Sequence, residues 1–185
     1  MGNELLTNAF PVAVRSSARN AISRLSGDSH APIGTYSVTV NGELLVIPYR
    51  IYHDPNAILR VGLDATEQEL LTCLLTRHCD GNVRQENLKR TIGSKSIWIP
   101  PFVVQLASEY VKEILDVIYE NAELLDGRVY GSFLRENQDF FGKTCERIRS
   151  YWDCYCRDIR REDYVGFRLL RIFQSFLNDD ASPPA

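Results

Sequence analysis

The segment 98–125, WIPPFVVQLASEYVKEILDVIYENAELL, carries the longest helix-like hydrophobic pattern in the chain. Its charged residues recur at helical spacing and share one stripe: Glu109, Lys112, Glu113, Asp116, Glu120 and Glu123. Apolar residues cover the remaining circumference, among them Val103, Leu106, Tyr110, Val111, Ile114, Leu115, Val117 and Ile118. The pattern predicts one long helix at the centre of a globule, starting at the prolines Pro100 and Pro101, with only the charged stripe in water.

The fold class that follows is mainly α: a helical bundle around this long central helix, with one N-terminal β-hairpin packed on it. A chain of 185 residues is the size of one domain. We therefore predict a single globular domain over 28–178, composed of a hairpin at 35–53 and a helical bundle at 66–178. The segment 179–185 is polar and contains prolines, which predicts a flexible tail.

The hairpin has the clearest local signal. Alternating residues flank Asn41-Gly42, a pair that tolerates positive φ and suits a two-residue type I′ turn. The turn sets the register, with Val38 opposite Leu45. Because Pro48 has no N–H to donate, we expect it to end or bulge the second strand.

Helix boundaries in the second half follow from caps and glycines. Thr66 and Glu69 have the spacing of a capping box, and Gly142 is expected to divide two helices. After Gly142, the helical spacing predicts a buried line made of Cys145, Ile148, Trp152 and Tyr155.

The segment 1–27 is amphipathic, with Val14, Ala18 and Ile22 on one helical face. We interpret it as a short helix that docks on the core. An organellar transit peptide, which is also rich in arginine and serine, is the alternative.

Charge and cysteine content restrict the compartment and the partners. A net charge of −3 argues against a generally basic nucleic-acid or membrane-binding surface. Five cysteines, an odd number, together with the lack of a secretory signal pattern, predict a reduced, cytoplasmic protein. The longest uncharged run is shorter than a bilayer span requires, so no membrane partner is expected.

The densest polar stretch lies between two short predicted helices. Its candidate binding residues are Arg77, His78, Asp80, Asn82, Arg84, Gln85 and Lys89. Asp80 and Arg84, followed by Leu88, resemble the turn of a HEAT-type helical hairpin over about 65–93. That resemblance implies that the aspartate and the arginine stabilise the corner between the two helices.

Two other interpretations of this stretch remain open. Two helices joined by a glycine-containing turn are also typical of a helix-turn-helix protein. Its second helix would present Arg84, Gln85 and Lys89 to DNA, together with Asn87 and Arg90. The second alternative is a small enzyme or ligand binder that uses His78, Arg84 and Cys154.

The sequence contains no phosphate-binding glycine loop, no nucleophile-elbow serine and no zinc-binding spacing. We therefore predict no cofactor, no metal and no catalytic residue. The leading hypothesis is a non-enzymatic interaction or regulatory module that binds another protein or its own copy. The edge of the hairpin at 49–53, or the N-terminal segment, would make the contact.

Overall fold

A computed structural model describes residues 2–25, 30–55, 58 and 60–178. The α-carbon contacts divide the chain into two units, Met1–Thr91 and Ile92–Ala185. The mainly α fold class is confirmed, with a single two-stranded hairpin among the described residues. The predicted domain limits, 28–178, remain a prediction, and the tail 179–185 lies outside the described residues.

The first unit combines the hairpin with four helices. The elements described in it are α1 (Gly2–Thr7), a 3₁₀ turn (Val12–Val14), α2 (Arg15–Ile22), β1 (His30–Val40), β2 (Glu43–Tyr52), α3 (Ala65–Leu75) and α4 (Gly81–Thr91). The N-terminal segment contains two short helices in place of the single one predicted, and the second of them, α2, buries Ala18 and Ile22.

The hairpin has the predicted turn and register. Asn41 and Gly42 have φ of 50° and 79°, and Val38 pairs with Leu45. The expectation for Pro48 was wrong, because β2 continues to Tyr52. The N–H of Val46 points away from β1, to the Asn8 carbonyl at 3.0 Å. Pro48, two residues later, has the same orientation, so its missing N–H removes no bond to β1.

The end of β2 is attached to the corner between α3 and α4. The Ile51 N–H donates to the Arg77 carbonyl, and the Cys79 N–H donates to the Ile51 carbonyl, both at 2.9 Å. These two bonds form a short parallel bridge between Ile51 and His78. The hairpin thus ends on the stretch in which the binding residues were predicted.

The capping of α3 differs from the prediction. The α3 capping box is formed by Asp64 and Glu67, not by Thr66 and Glu69. The Asp64 carboxylate accepts from the Glu67 N–H at 2.8 Å, and the Glu67 carboxylate accepts from the Asp64 N–H at 2.9 Å. An aspartate directly before the first helical residue caps as well as a threonine, and the box therefore forms two positions earlier than predicted.

The described residues of the second unit contain helices joined by turns and loops, and no strand. Its elements are α5 (Pro100–Ala107), α6 (Lys112–Glu120), a 3₁₀ turn (Ala122–Leu124), α7 (Gly127–Glu136), α8 (Gln138–Tyr155) and α9 (Val165–Asn178). All eight residues of α5 are buried, and α5 contacts α6, α7 and α8. This helix is therefore the centre of the second unit.

The single long helix predicted over 98–125 is wrong. It is divided between α5 and α6, and Val111 has an extended conformation with φ −80° and ψ 104°. The Ser108 hydroxyl donates to the Gln105 carbonyl at 2.8 Å and accepts from the Gln105 side chain at 3.2 Å. These local bonds compete with the continuing helical ladder. After the break the helical faces change, so Glu109 is buried whereas Tyr110 is 72% exposed.

Gly142 does not divide two helices, because α8 passes through it. The boundary lies instead at Asn137, whose side-chain amide donates to the Phe133 carbonyl at 2.8 Å. The predicted buried line of α8 holds for Cys145 and Ile148. It fails at the end of the helix, where Trp152 is half-buried and Tyr155 is 75% exposed.

Candidate protein-binding cleft

The predicted binding residues at the corner between α3 and α4 do not form one exposed patch. Arg77, His78 and Arg84 are buried, with at most 4% of each residue exposed. Gln85 is half-buried, and the exposed members are Asp80, Asn82 and Lys89. The corner therefore has an inner and an outer set of polar side chains.

Arg84 holds the corner from inside. Its guanidinium donates to the carbonyls of His78 and Cys79 at 2.9 and 2.8 Å. Asp80 acts at the start of α4, where its carboxylate accepts from the Asn82 N–H at 2.8 Å. Both residues thus bond to the backbone of the corner, and the HEAT-type resemblance stays a prediction. Asn82 lies inside α4.

His78 is fixed in one tautomer. The Asp80 N–H donates to its Nδ1 at 3.0 Å, so Nδ1 must be unprotonated, and Nε2 lies 2.7 Å from the His53 carbonyl, to which it donates. This arrangement requires a neutral imidazole whose two nitrogens are both used by the backbone. A metal ion or a proton-accepting role at His78 would have to break one of these bonds.

We expect the free energy of unfolding to fall as the pH drops below about 6.5. Burial lowers the pKa of His53 in the folded chain, whereas His53 of the unfolded chain titrates near 6.5. The unfolded state therefore binds the proton first, and the loss of stability levels off below the folded pKa. Chemical denaturation over a pH series measures this slope. The slope should be shallower in His53→Gln, and an unchanged slope would place the proton uptake elsewhere.

Arg77 is also a structural residue. It is fully buried, and its Nε donates to the Thr76 carbonyl at 3.0 Å. Its positive charge also acts on the hydroxyl of Tyr36 on β1 and lowers the pKa of that hydroxyl. Burial raises the pKa of the Tyr36 hydroxyl, and Arg77 opposes that shift only in part. Tyr36 therefore stays a neutral partner of this arginine.

These positions bear on the two alternative interpretations of the corner. A recognition helix should expose Arg84 and Asn87, but both side chains are buried. On the exposed face of α4, the Lys89 ammonium pairs with Glu86 at 2.9 Å. For the small-enzyme interpretation, His78 and Arg84 belong to the first unit and Cys154 to the second.

A cleft in the second unit has the features of a binding site. It has a volume of about 330 Å³ and lies between α6, the loop 156–164 and the start of α9. Its walls are mainly apolar, and we call it the tyrosine cleft after the residues Tyr110, Tyr119 and Tyr164, which line it with Leu115, Ile159 and Val165. A volume of this size is typical of sites that take one or two large side chains or a small ligand.

Aromatic rings extend the tyrosine cleft along the surface. The rings of Tyr110 and Tyr151 are 5.9 Å apart, and those of Tyr151 and Tyr155 are 6.3 Å apart. Tyr110 and Tyr155 are the most exposed of the three. Tyr164 lies deeper, and burial raises the pKa of its hydroxyl to about 12. The Tyr164 phenol is therefore neutral at physiological pH.

The rim of the tyrosine cleft has charges of both signs. The Lys112 ammonium pairs with Asp116, and an Arg168 nitrogen lies 3.2 Å from the Asp163 carboxylate. The Arg168 guanidinium also lies 5.6 Å from the centre of the Tyr119 ring. The rim thus surrounds an apolar floor with balanced ion pairs, an arrangement common in protein interfaces.

Comparison with protein-family models, with curated proteins and with solved structures finds no match for this chain.

Among the residues that the structure describes, no helix is both long and apolar enough to cross a bilayer. In the same part of the chain, no three His, Cys, Asp or Glu side chains are grouped so that they could hold a metal ion.

The tyrosine cleft was not predicted, because the helical pattern placed Tyr110, and also Tyr155 in the adjoining row of rings, among the buried residues. Tyr110 fell on the apolar side of one continuous helix, and Tyr155 fell on the buried line of α8. The sequence feature that could have indicated the break is Ser108, because a serine hydroxyl competes with backbone N–H groups for the helical carbonyls. A break at that position rotates Tyr110 out of the apolar face.

Proposed function

We propose that this chain is a non-enzymatic interaction module, and that its tyrosine cleft binds a short segment of a partner protein through one large apolar side chain. The observation that carries the proposal is the exposure of Tyr110. With 72% of the residue accessible, it stands at an apolar cleft instead of packing into the core. Large tyrosine side chains at an apolar surface with a charged rim are typical of the residues that dominate protein binding.

The chemistry of the occupant follows from the walls and the rim. The floor offers apolar contact from Leu115, Ile159 and Val165, which suits an aliphatic or aromatic anchor. Because Lys112 and Arg168 are both paired with carboxylates, the rim does not favour a strongly charged segment of either sign. The row of rings from Tyr110 to Tyr155 continues beyond the cleft, which favours an elongated peptide over a compact small molecule.

Peptides are selected from a displayed random library by their binding to the protein. The affinity of each selected peptide is then measured for the original protein and for its variants. We expect selected peptides to share a large apolar residue. Tyr110→Ser should weaken them about thirtyfold, the effect of removing an interface tyrosine worth about 2 kcal/mol. Among the aromatic pairs of the described residues, the Tyr110 ring contacts only the Tyr151 ring. Tyr110→Ser should therefore leave the fold intact.

Leu44→Ser is the matched control, because Leu44 is also an exposed apolar residue, at 64%, but lies on β2. It should leave peptide affinity unchanged. Peptides that bind the Tyr110→Ser variant as tightly as the original chain would overturn the proposal. So would a loss of affinity confined to Leu44→Ser, which would move the site to the hairpin.

A further inference from the structure

A second cleft of the second unit has a different character from the tyrosine cleft. It has a volume of about 390 Å³ and lies between the end of α8, the loop 156–164 and α9. We call it the arginine cleft, and its lining is Arg149, Ser150, Trp152, Asp153, Arg161 and Phe167. Two guanidinium groups therefore share one small concave surface.

The positive charge of the arginine cleft is not cancelled by its own aspartate. The Asp153 carboxylate is held by Arg157, whose Nε and Nη2 donate to it at 3.0 and 2.6 Å. Within the part of the chain that the structure describes, neither Arg149 nor Arg161 makes a hydrogen bond or an ion pair. Both guanidinium groups thus keep their full donor capacity for a ligand.

Aromatic rings orient one of these guanidinium groups. The Arg161 guanidinium lies 4.6 Å from the centre of the Trp152 ring, and the Phe167 ring stands edge-on to the same indole at 5.7 Å. The indole N–H is already used, since it donates to the Ile159 carbonyl at 2.9 Å and so attaches the loop to α8. Stacking occupies the face of the Arg161 guanidinium, which leaves the N–H groups at its edge for an anion.

We propose that the arginine cleft binds a phosphate monoester dianion, in which Arg149 and Arg161 each donate to phosphate oxygens and the Ser150 hydroxyl lies on the same surface. Two guanidinium groups match the two charges and the several oxygens of such a group near neutral pH. The Trp152 ring beside Arg161 limits the freedom of that guanidinium, so less entropy is lost when an anion binds. This site is independent of the proposed function of the tyrosine cleft.

A nucleic acid fits the surroundings of the cleft less well than a single phosphate group. Exposed carboxylates flank the arginines along the chain at Glu146, Asp158 and Glu162, and the net charge of the protein is −3. A phosphodiester strand that continued past the cleft would meet these acids, whereas one terminal phosphate would not. The ligand chemistry is thus an isolated phosphate monoester, either on a phosphorylated side chain or on a free small molecule.

The test uses the fluorescence of Trp152 in the full-length chain. The protein has two tryptophans, so Trp98→Phe leaves Trp152 as the single reporter. Inorganic phosphate, a capped phosphoserine peptide and the same peptide without phosphate are titrated separately. We expect saturable responses from one or both phosphorylated probes and none from the unphosphorylated peptide. The tighter of the two phosphorylated probes identifies the source of the phosphate group.

Variants then locate the site. Arg149→Gln and Arg161→Gln should each weaken the tighter probe about tenfold, the effect of losing one charge-assisted contact. Arg128→Gln, an exposed arginine on α7 outside the cleft, should leave the affinity unchanged. The proposal is overturned if neither phosphorylated probe gives a saturable response, or if the double variant at Arg149 and Arg161 binds as the original does. A single-stranded RNA that binds more tightly than both inorganic phosphate and the phosphoserine peptide would also overturn it.

Discussion

Replacing Gly131 by alanine is expected to lower the free energy of unfolding by about 3 kcal/mol, the upper range for overpacking a buried site. Gly131 is buried on α7, and a Cβ added there would overlap the Phe176 carbonyl on α9. That oxygen is backbone and cannot rotate away, so the two helices would have to separate. Chemical denaturation of the original chain and of the variant measures the effect as a shift of the midpoint.

Gly142→Ala is the matched control for this prediction. Gly142 also lies inside a helix, but a Cβ added there has no neighbour within 4 Å. Alanine should therefore stabilise the chain by about 0.5 to 1 kcal/mol, through its better helix propensity and the smaller freedom of the unfolded state. Equal effects at Gly131 and Gly142 would show that α7 and α9 are not as close as described.

A second large effect is expected at the corner of the first unit. Arg84→Ala should lower the free energy of unfolding by about 3 kcal/mol, because the buried carbonyls of His78 and Cys79 lose a charged donor. Arg84→Lys keeps one cationic donor and should lose about half as much. The measurement is again the denaturation midpoint.

Lys89→Ala serves as the comparison for the change at Arg84. Its ammonium is exposed and pairs only with the exposed Glu86, so its removal should cost less than about 0.5 kcal/mol. Under the helix-turn-helix alternative, both changes would weaken salt-sensitive duplex binding. If Arg84→Ala left stability unchanged and lowered duplex affinity together with Lys89→Ala, Arg84 would be a DNA contact and the corner role described here would be wrong.

The hairpin could be predicted in detail because its determinants are local. Asn41-Gly42 allows the two positive φ angles of the turn, and the turn then fixes each pair, including Val38 with Leu45. The same holds for the apolar face of α2. In these elements the neighbouring residues in sequence are also the ones that decide the structure.

The division of 98–125 into α5 and α6 could not be read from periodicity. Both halves keep a helical pattern, and the break depends on a side-chain contact between Gln105 and Ser108 that is specific to this backbone geometry. Periodicity also placed Tyr110 and Glu109 on the wrong sides, because it assumes that the helical phase continues. A local error of a few residues therefore concealed the tyrosine cleft.

The candidate site at 77–89 shows another limit of sequence analysis. A cluster of polar residues between two helices has the same composition whether it binds a ligand or its own backbone. At this corner Arg77, His78 and Arg84 all bind backbone carbonyls, which only the position of the strand and the turn could show. The clefts, by contrast, join residues from α6, α8, α9 and their loops, and no short motif connects them.

The pairing of Ile51 with the corner joins two kinds of secondary structure through reciprocal backbone bonds. The Ile51 amide is held by Arg77, and the Cys79 amide is held by Ile51, so neither proton can be released unless strand and corner separate. Hydrogen exchange at both amides then requires the same opening event. The hairpin, which alone would be marginal, and the paired helices α3 and α4 consequently behave as one cooperative foldon.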